Sequence, residues 1–324
     1  MPSKIEISHR TILFTIFFLI FLWFLIQIEE ILFLVFVAFI LMSAISPFAD
    51  NLEKFHIPRA ISVLMIYVLL IVLIAFAGNS IIPPLITQTI RLGDNLPGYV
   101  KSILPFASFD IQSFTQQITP VGENLLKVTV GLFSNIITLF TLFVITFYLI
   151  LERKNLKSHL SIFMGDEVAK RIMNIWLKVE ERLGAWVRGQ ATLALVIGLG
   201  TYFGLSLLGI PYTFPLSILA GILEIVPIIG PIISAIPAIL VAFTISPLLA
   251  LATAALYFIV QQLESNFVVP LVMRRAVGLP PLVTLIVLMI GGKLGGIGGA
   301  ILAIPIFVTL ETIIKEHFAL KSKS

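Results

Sequence analysis

The chain of 324 residues is 59% hydrophobic and only 12% charged, with a net charge of +4. Soluble domains contain about 25% charged residues, so this composition excludes an ordinary soluble protein. A helix needs about 20 apolar residues to cross the bilayer core, and most of the stretches without Asp, Glu, Lys or Arg are nearly that long or longer. The sequence therefore predicts an all-α polytopic membrane protein. These uncharged stretches are 11–28, 31–49, 60–90, 128–151, 189–223, 225–263, 276–292 and 294–310.

The inventory of metal-binding and redox side chains is small. The chain has no cysteine and four histidines, and each histidine lies near a charged segment. Disulfides, thiolate metal sites and cysteine nucleophiles are excluded. We expect neither a metal nor a cofactor, and no nucleic-acid partner.

Three helices are predicted in the N-terminal membrane region, 1–82. The first two, 11–28 and 31–49, are joined by a tight turn at Glu29–Glu30. The third begins near residue 60 and is expected to end at Pro83–Pro84, because proline lacks the amide hydrogen that a helix requires.

The next segments alternate between polar and apolar character. Residues 83–128 are predicted to be an extracytoplasmic segment with short helices, and 129–151 a transmembrane helix. Residues 152–188 are charged but carry apolar residues at helical spacing, which predicts an amphipathic helix on the membrane or on a partner. Segment 152–188 holds eight basic residues and segment 83–128 holds three, so the positive-inside rule places 152–188 and the N-terminus in the cytosol.

The C-terminal transport core, 189–312, contains two stretches that are too long for one simple crossing. Stretch 212–245 would measure about 50 Å as one helix, and both it and 279–310 are interrupted by proline or glycine. Each is either a bent crossing, giving eight spans, or a re-entrant hairpin, giving six spans plus two hairpins that enter from opposite faces. The second topology agrees better with the positive-inside rule, and it leaves the tail, 313–324, in the cytosol. Labelling of a cysteine at position 274 only from outside would eliminate the hairpins.

The first candidate site residue is Glu224, the only charged residue in 189–263. It is followed by Pro227, Gly230 and Pro231, which interrupt helical hydrogen bonding. Irregular backbone is tolerated at membrane depth where it is buried in protein or lines a wet cavity. A charge there needs a partner or a function, although Glu224 could also cap a broken helix.

A second polar cluster lies within the predicted helix 247–272. Gln261 and Glu264 are one turn apart on the same face, and Gln262 and Asn266 add further amide groups. Their oxygens suit a hard cation or hydroxyl groups. The alternative is hydrogen bonding between helices, which polar groups in membranes often provide.

A glycine-rich cluster forms the third candidate. Gly292 and Lys293 lie between two apolar runs, followed by Gly298 and Gly299. The glycines permit close helix packing, whereas Lys293 could either pair with one of the two glutamates or extend to the membrane interface. Two interrupted segments in matching places point to a transporter site near the bilayer midplane.

The ordered series of motifs resembles the autoinducer-2 exporter family, also called PerM-like permeases, over essentially the whole chain. The motifs that carry the resemblance are 227–231 with 236–238, 261–270, 277–281, 291–296 and 303–305, and upstream 57–59, 95–97 and 188–190.

This resemblance implies a multispanning inner-membrane permease that assembles as a homo-oligomer. Members of that family are associated with autoinducer-2 export, and some with sodium–proton antiport. Pro280 stands where many relatives have histidine, which argues against a proton relay at that position.

The sequence favours a secondary transporter of a small polar solute, coupled to protons or sodium, with Glu224 and Glu264 as ion sites and Lys293 balancing their charge. A sodium–proton antiporter, a passive channel and a membrane scaffold remain alternatives. The chain lacks the phosphate-binding P-loop pattern of an ATPase, and none of the residue sets that an intramembrane protease requires is present, so we do not expect an enzyme.

Overall fold

The computed structural model of the chain describes residues 9–103, 136–227, 229–273 and 278–321. Six of the described helices are long and apolar enough to span a membrane, which confirms an all-α, multi-pass membrane protein. The helices are α1 (His9–Gln27), α2 (Glu29–Glu53), α3 (Arg59–Ile103), α4 (Ile136–Glu152), α5 (Leu156–Met164), α6 (Asp166–Leu207), α7 (Thr213–Leu223), α8 (Ile229–Phe243), α9 (Pro247–Leu263), α10 (Val269–Met273) and α11 (Pro281–Lys321), with a π-turn (Glu264–Val268) between α9 and α10.

The predicted tight turn between the first two helices is wrong. The amide of Ile28 donates to the carbonyl of Phe24 (3.1 Å), and the amide of Leu32 donates to that of Ile28 (2.9 Å). Helical hydrogen bonding therefore continues almost unbroken, and Glu29 and Glu30 form the first turn of α2. No residue in the apolar window of α1 is buried, so its side chains are available to contact lipid or another chain.

The prediction that Pro83–Pro84 ends the third helix is also wrong, because α3 continues to Ile103. Two adjacent prolines remove only two amide donors, and the other helical hydrogen bonds of this 45-residue helix remain. Proline is tolerated in membrane helices where other groups satisfy the freed backbone. The remainder of the predicted extracytoplasmic segment, 104–128, lies outside the described residues.

The predicted boundary near residue 188 does not interrupt the helix. Helix α6 runs through it for 42 residues, about 63 Å at 1.5 Å per residue. One face of its first half packs against the protein itself, since Val179, Leu183 and Trp186 belong to one apolar core with residues of α2, α3, α4 and α11. The amphipathic face predicted in 152–188 thus covers the protein's own core.

Both interrupted stretches fold back as helical hairpins, which is the second of the two arrangements that the sequence allows. Helices α7 and α8 have 11 and 15 residues, about 17 and 23 Å, and each is shorter than the ~30 Å apolar core of a bilayer. Gly230 at the start of α8 packs so closely on the carbonyl of Leu223 that a Cβ would overlap it.

The second hairpin is a reversal within α11. Gly295 (φ −129°, ψ 18°) and Gly296 (φ 59°, ψ −141°) leave the helical conformation, and a left-handed φ of this kind favours glycine. Gly291 lies before the turn and Gly299 after it. They approach so closely that a Cβ on either would overlap the other's carbonyl oxygen. Residues eight positions apart in a straight helix are about 12 Å apart, so the two arms pack against each other.

The first hairpin packs with α6 and α9 around a second apolar core that includes Ile197, Leu216, Ala238 and Tyr257. Small residues set the register of these helices. Gly204 packs on Leu256 and Gly200 on Val260, so α9 runs antiparallel to α6. In the same way Gly198 packs on Ser217 and Gly221 on Ala194, so α7 is also antiparallel to α6.

Candidate functional site

The structure brings the two lone glutamates of the transport core together. Glu224 is completely buried and Glu264 is 3% exposed, and their carboxyl groups are close enough to interact electrostatically. They are 40 positions apart in the sequence and come from different helical segments. The proline break of the first hairpin and the polar cluster predicted in helix 247–272 are therefore parts of one site.

The hairpin turn places Glu224 at the site. Helix α7 ends at Leu223, and the amide of Glu224 still donates to the carbonyl of Ala220 at 3.1 Å. Residues 225–227 then turn away from the helical path. The side-chain amide of Gln190 on α6 donates to the backbone carbonyl of Glu224, so a carbonyl freed by the break is bonded within the protein.

A π-turn places Glu264. The amide of Val269 donates to the carbonyl of Glu264, five residues earlier instead of four, which widens this part of the helix. Such π-turns are frequent at functional sites. The side-chain amide of Gln261 donates to Oε2 of Glu264 at 3.0 Å, so the two side chains lie on one face of the helix, as their spacing predicts.

The carboxyl pair has no cation beside it within the described part of the chain. Neither Glu224 nor Glu264 forms an ion pair there, and the carboxyl oxygens of Glu224 receive no hydrogen bond from any other described group. Glu180, which is buried to a similar degree, has Arg153 at 2.8 Å. Two buried carboxylates in contact repel each other strongly unless they share a proton or a bound cation.

The other predicted residues divide into those near the pair and those apart from it. Pro227 and the buried Gly230 and Pro231 form the hairpin turn and the start of α8. Gln262 and Asn266 are exposed, and the side-chain amide of Asn266 donates to the carbonyl of Gln262 at 2.8 Å, a local bond on another face of the helix.

Lys293 does not balance the charge of the pair. Its side chain is exposed beside Gly292, near the turn of the second hairpin. It forms no ion pair with either glutamate among the described contacts. Of the two alternatives from the sequence, pairing with Glu224 or Glu264 is not seen among the described contacts, and the exposed side chain agrees with extension to the membrane interface.

Sequence reasoning missed the buried amide and hydroxyl groups around the pair. Gln190 entered the sequence analysis only through the family resemblance, although it is the sole Gln or Asn between 189 and 223. Thr201, Thr253 and Tyr257 are also buried, but single Thr and Tyr residues in an apolar helix carry no signal that separates them from packing residues.

These features define a class: a multi-pass α-helical membrane protein with two helical hairpins and a buried acidic pair, an architecture typical of secondary transporters. The comparisons with known proteins agree. Residues 12–319 match the AI-2E family of transporters, and the chain belongs to that family.

Three relatives show the range of the family. The chain is 32% identical over 298 residues to YueF of Bacillus subtilis, covering 84% of this chain and 80% of YueF. It is 27% identical over 290 residues to YrrI of the same organism, covering 84% and 82%. The names of both propose a transport role and specify no solute. A sodium-lithium/proton antiporter of Halobacillus andaensis is 25% identical over 293 residues, covering 81% and 82%.

Proposed function

We propose that this protein is a secondary transporter that exports a small polar solute resembling autoinducer-2, in exchange for protons or sodium ions. The observation that carries the proposal is the buried Glu224–Glu264 pair without a counter-cation among the described residues. A pair of carboxylates in this situation is stabilised by binding one proton or one monovalent cation. Occupancy of the pair would then depend on the gradient of that ion across the membrane.

Coupling requires the pair to differ between the inward-open and outward-open states. Glu224 lies in the turn of a hairpin, whereas Glu264 lies in the π-turn of a different helical segment. A movement of the hairpin relative to α9 would separate the carboxyl groups and change their affinity for the bound ion. The ion and the solute would thereby favour opposite states, which is the requirement for exchange.

The remaining parts of the proposal follow from orientation and family. The excess of basic residues in 152–188 supports cytosolic N- and C-termini and a location in the cytoplasmic membrane. The exposed apolar surface of α1 is suited to lipid and to a neighbouring copy of the chain, which supports a homo-oligomer. Pro227, Gly230, Pro231 and Gly292 would form the flexible parts of the pathway.

Sodium–proton antiport is the second candidate, because the related antiporter of Halobacillus andaensis is similar over most of both chains and the acidic pair can bind either ion. The two candidates differ in whether a solute must move together with the ions.

Purified protein in proteoliposomes tests both candidates. Internal pH is followed with an entrapped dye after addition of Na⁺ or Li⁺, and autoinducer-2 uptake is measured with a proton or a sodium gradient imposed separately. We expect Glu224→Gln and Glu264→Gln each to abolish coupled flux. Glu181→Gln, on the exposed face of α6, is the matched control. Unchanged flux in both pair variants would refute the coupling role, and flux independent of either gradient would indicate a passive channel.

A further inference from the structure

Three side chains between α6 and α9 carry buried hydroxyl groups, and one of them, Tyr257, also packs through its ring in the second apolar core. Thr201, Thr253 and Tyr257 are 1%, 0% and 8% exposed, and their hydroxyl oxygens have no hydrogen-bond partner among the described residues. Hydroxyls in apolar helices usually bond to a carbonyl of the preceding turn. Thr146, Thr192 and Thr309 do so in this structure, at 2.7, 2.8 and 2.8 Å.

These hydroxyls form a continuous series with the acidic pair. Thr253, Tyr257, Gln261 and Glu264 follow at intervals of four, four and three residues, which places them on one face of the helix. Oε1 of Gln261 is likewise buried without a partner among the described residues. Helix α6 completes the series from the other side, because its antiparallel register with α9 brings Thr201 close to the level of Tyr257.

Buried polar groups are nearly always hydrogen-bonded, to protein or to ordered water. Three unpartnered polar atoms in a row on α9 and a fourth facing them from α6 are therefore typical of a wet passage.

We propose that Thr201, Thr253, Tyr257 and Gln261 line a chain of water molecules that conducts protons between the Glu224–Glu264 pair and the N-terminal end of α9. This inference rests on the proposed function and assigns the access route of its coupling ion. The distance along α9 from Thr253 to Glu264 is about 16 Å, too long for direct transfer but suited to several waters in sequence. Each water or hydroxyl accepts one proton and releases one to the next group, so only the pair changes its net charge.

The route is closed at one end in this conformation. Toward the start of α9, the next buried position on the same face is Ala250, which belongs to the second apolar core. Helix α9 begins at Pro247, capped by the hydroxyl of Ser246, two turns before Thr253. We expect the passage to open there when the hairpin of α7 and α8 moves relative to α9.

The test removes hydroxyls while keeping side-chain shape. Tyr257→Phe, Thr253→Val and the double variant are compared with Tyr202→Phe and Thr192→Val on α6, whose side chains are exposed. Proton uptake into proteoliposomes is driven by an outward gradient of Na⁺ or of autoinducer-2 loaded inside them, and it is followed with an entrapped pH dye in H₂O and in D₂O. We expect the double variant to lose at least about tenfold in rate, as removal of a proton-transfer group typically does, and the control variants to stay within about twofold.

The outcomes are separable. Melting temperatures should be unchanged, because removal of an unpartnered buried hydroxyl leaves no orphaned group, so a loss of rate without a loss of stability supports the passage. Normal proton uptake in the double variant, with uptake abolished in Glu264→Gln, would overturn the passage and leave the coupling site intact. Normal uptake in both would overturn the passage and the coupling site together. A loss of Na⁺ flux with normal proton uptake would overturn the assignment to protons.

Discussion

The close packing of the two arms of α11 predicts a strong difference between two neighbouring glycines. A Cβ on Gly291 would overlap the carbonyl oxygen of Gly299 and lie 2.7 Å from Cβ of Ala303, whereas a Cβ on Gly292 would meet nothing nearer than Cβ of Ala300 at 3.9 Å. Ordinary contacts of this kind are 3.4 Å or longer. In Gly291→Ala the arms must therefore separate by about 0.7 Å or more to relieve this contact.

The two substitutions share every other consequence. Each replaces glycine by alanine in the same helical arm, a change that favours the helix by about 1 kcal/mol. Overpacking against backbone costs about 1–3 kcal/mol, and it applies to Gly291→Ala alone. We therefore expect Gly292→Ala to be neutral or stabilising, and Gly291→Ala to lie about 1–3 kcal/mol below it.

Intrinsic tryptophan fluorescence during heating in detergent measures this difference. One kcal/mol corresponds to about 2–4 °C for a domain of 150–250 residues, so the two melting temperatures should differ by several degrees at one scan rate. Equal melting temperatures would refute the hairpin geometry, because in a straight helix Gly291 and Gly299 would not meet.

Three further predictions concern the charged residues. Arg153→Gln should destabilise the protein by about 1–3 kcal/mol, because the buried Glu180 loses its 2.8 Å partner. Equilibrium denaturation measures the loss of stability, and an unchanged midpoint would contradict the pairing. Glu264→Gln should leave the melting temperature unchanged or raise it, since it removes repulsion between two buried carboxylates; a large decrease would show that the charge is needed for folding. Lys293→Ala should retain normal coupled flux in proteoliposomes, because the exposed lysine contacts neither glutamate, and a loss of flux would assign it a role beyond that seen here.

The architecture of the transport core could be predicted because its breaks are local in sequence. Proline and glycine within 212–245 and 279–310 interrupt the helical hydrogen bonds of their own segments, and the length of each apolar run excludes one straight crossing. Local signals were insufficient at Pro83–Pro84. There the helix continues because only two amide donors are lost within a long apolar helix, and the two prolines alone do not report on the length of that helix.

The candidate site could be predicted only in part. Glu224 and Glu264 were recognisable as isolated charges in apolar segments, but their contact depends on the packing of α7 and α9 against α6. The glycines that set that register, such as Gly204 and Gly221, have the same local sequence appearance as any other glycine. For the same reason the sequence could not exclude Lys293 as their partner, since its direction depends on the reversal at Gly295–Gly296.

The membrane orientation of the first hairpin gives the last prediction. If α7 and α8 form a re-entrant hairpin, the turns before and after it lie on the same side of the membrane; if the stretch crosses once, they lie on opposite sides. Pro211 is exposed in the first turn and Ile245 is 49% exposed in the second. Because the chain has no cysteine, Pro211→Cys and Ile245→Cys each provide a unique thiol.

We expect an impermeant maleimide to label both of these thiols in intact cells, because the positive-inside rule places these turns outside. Lys157→Cys, exposed on α5, serves as the cytosolic control and should react only after permeabilisation. Labelling of position 211 from outside and of position 245 only after permeabilisation would show a single crossing. That result would refute the re-entrant hairpin, and it would also remove the basis for moving Glu224 relative to Glu264 during transport.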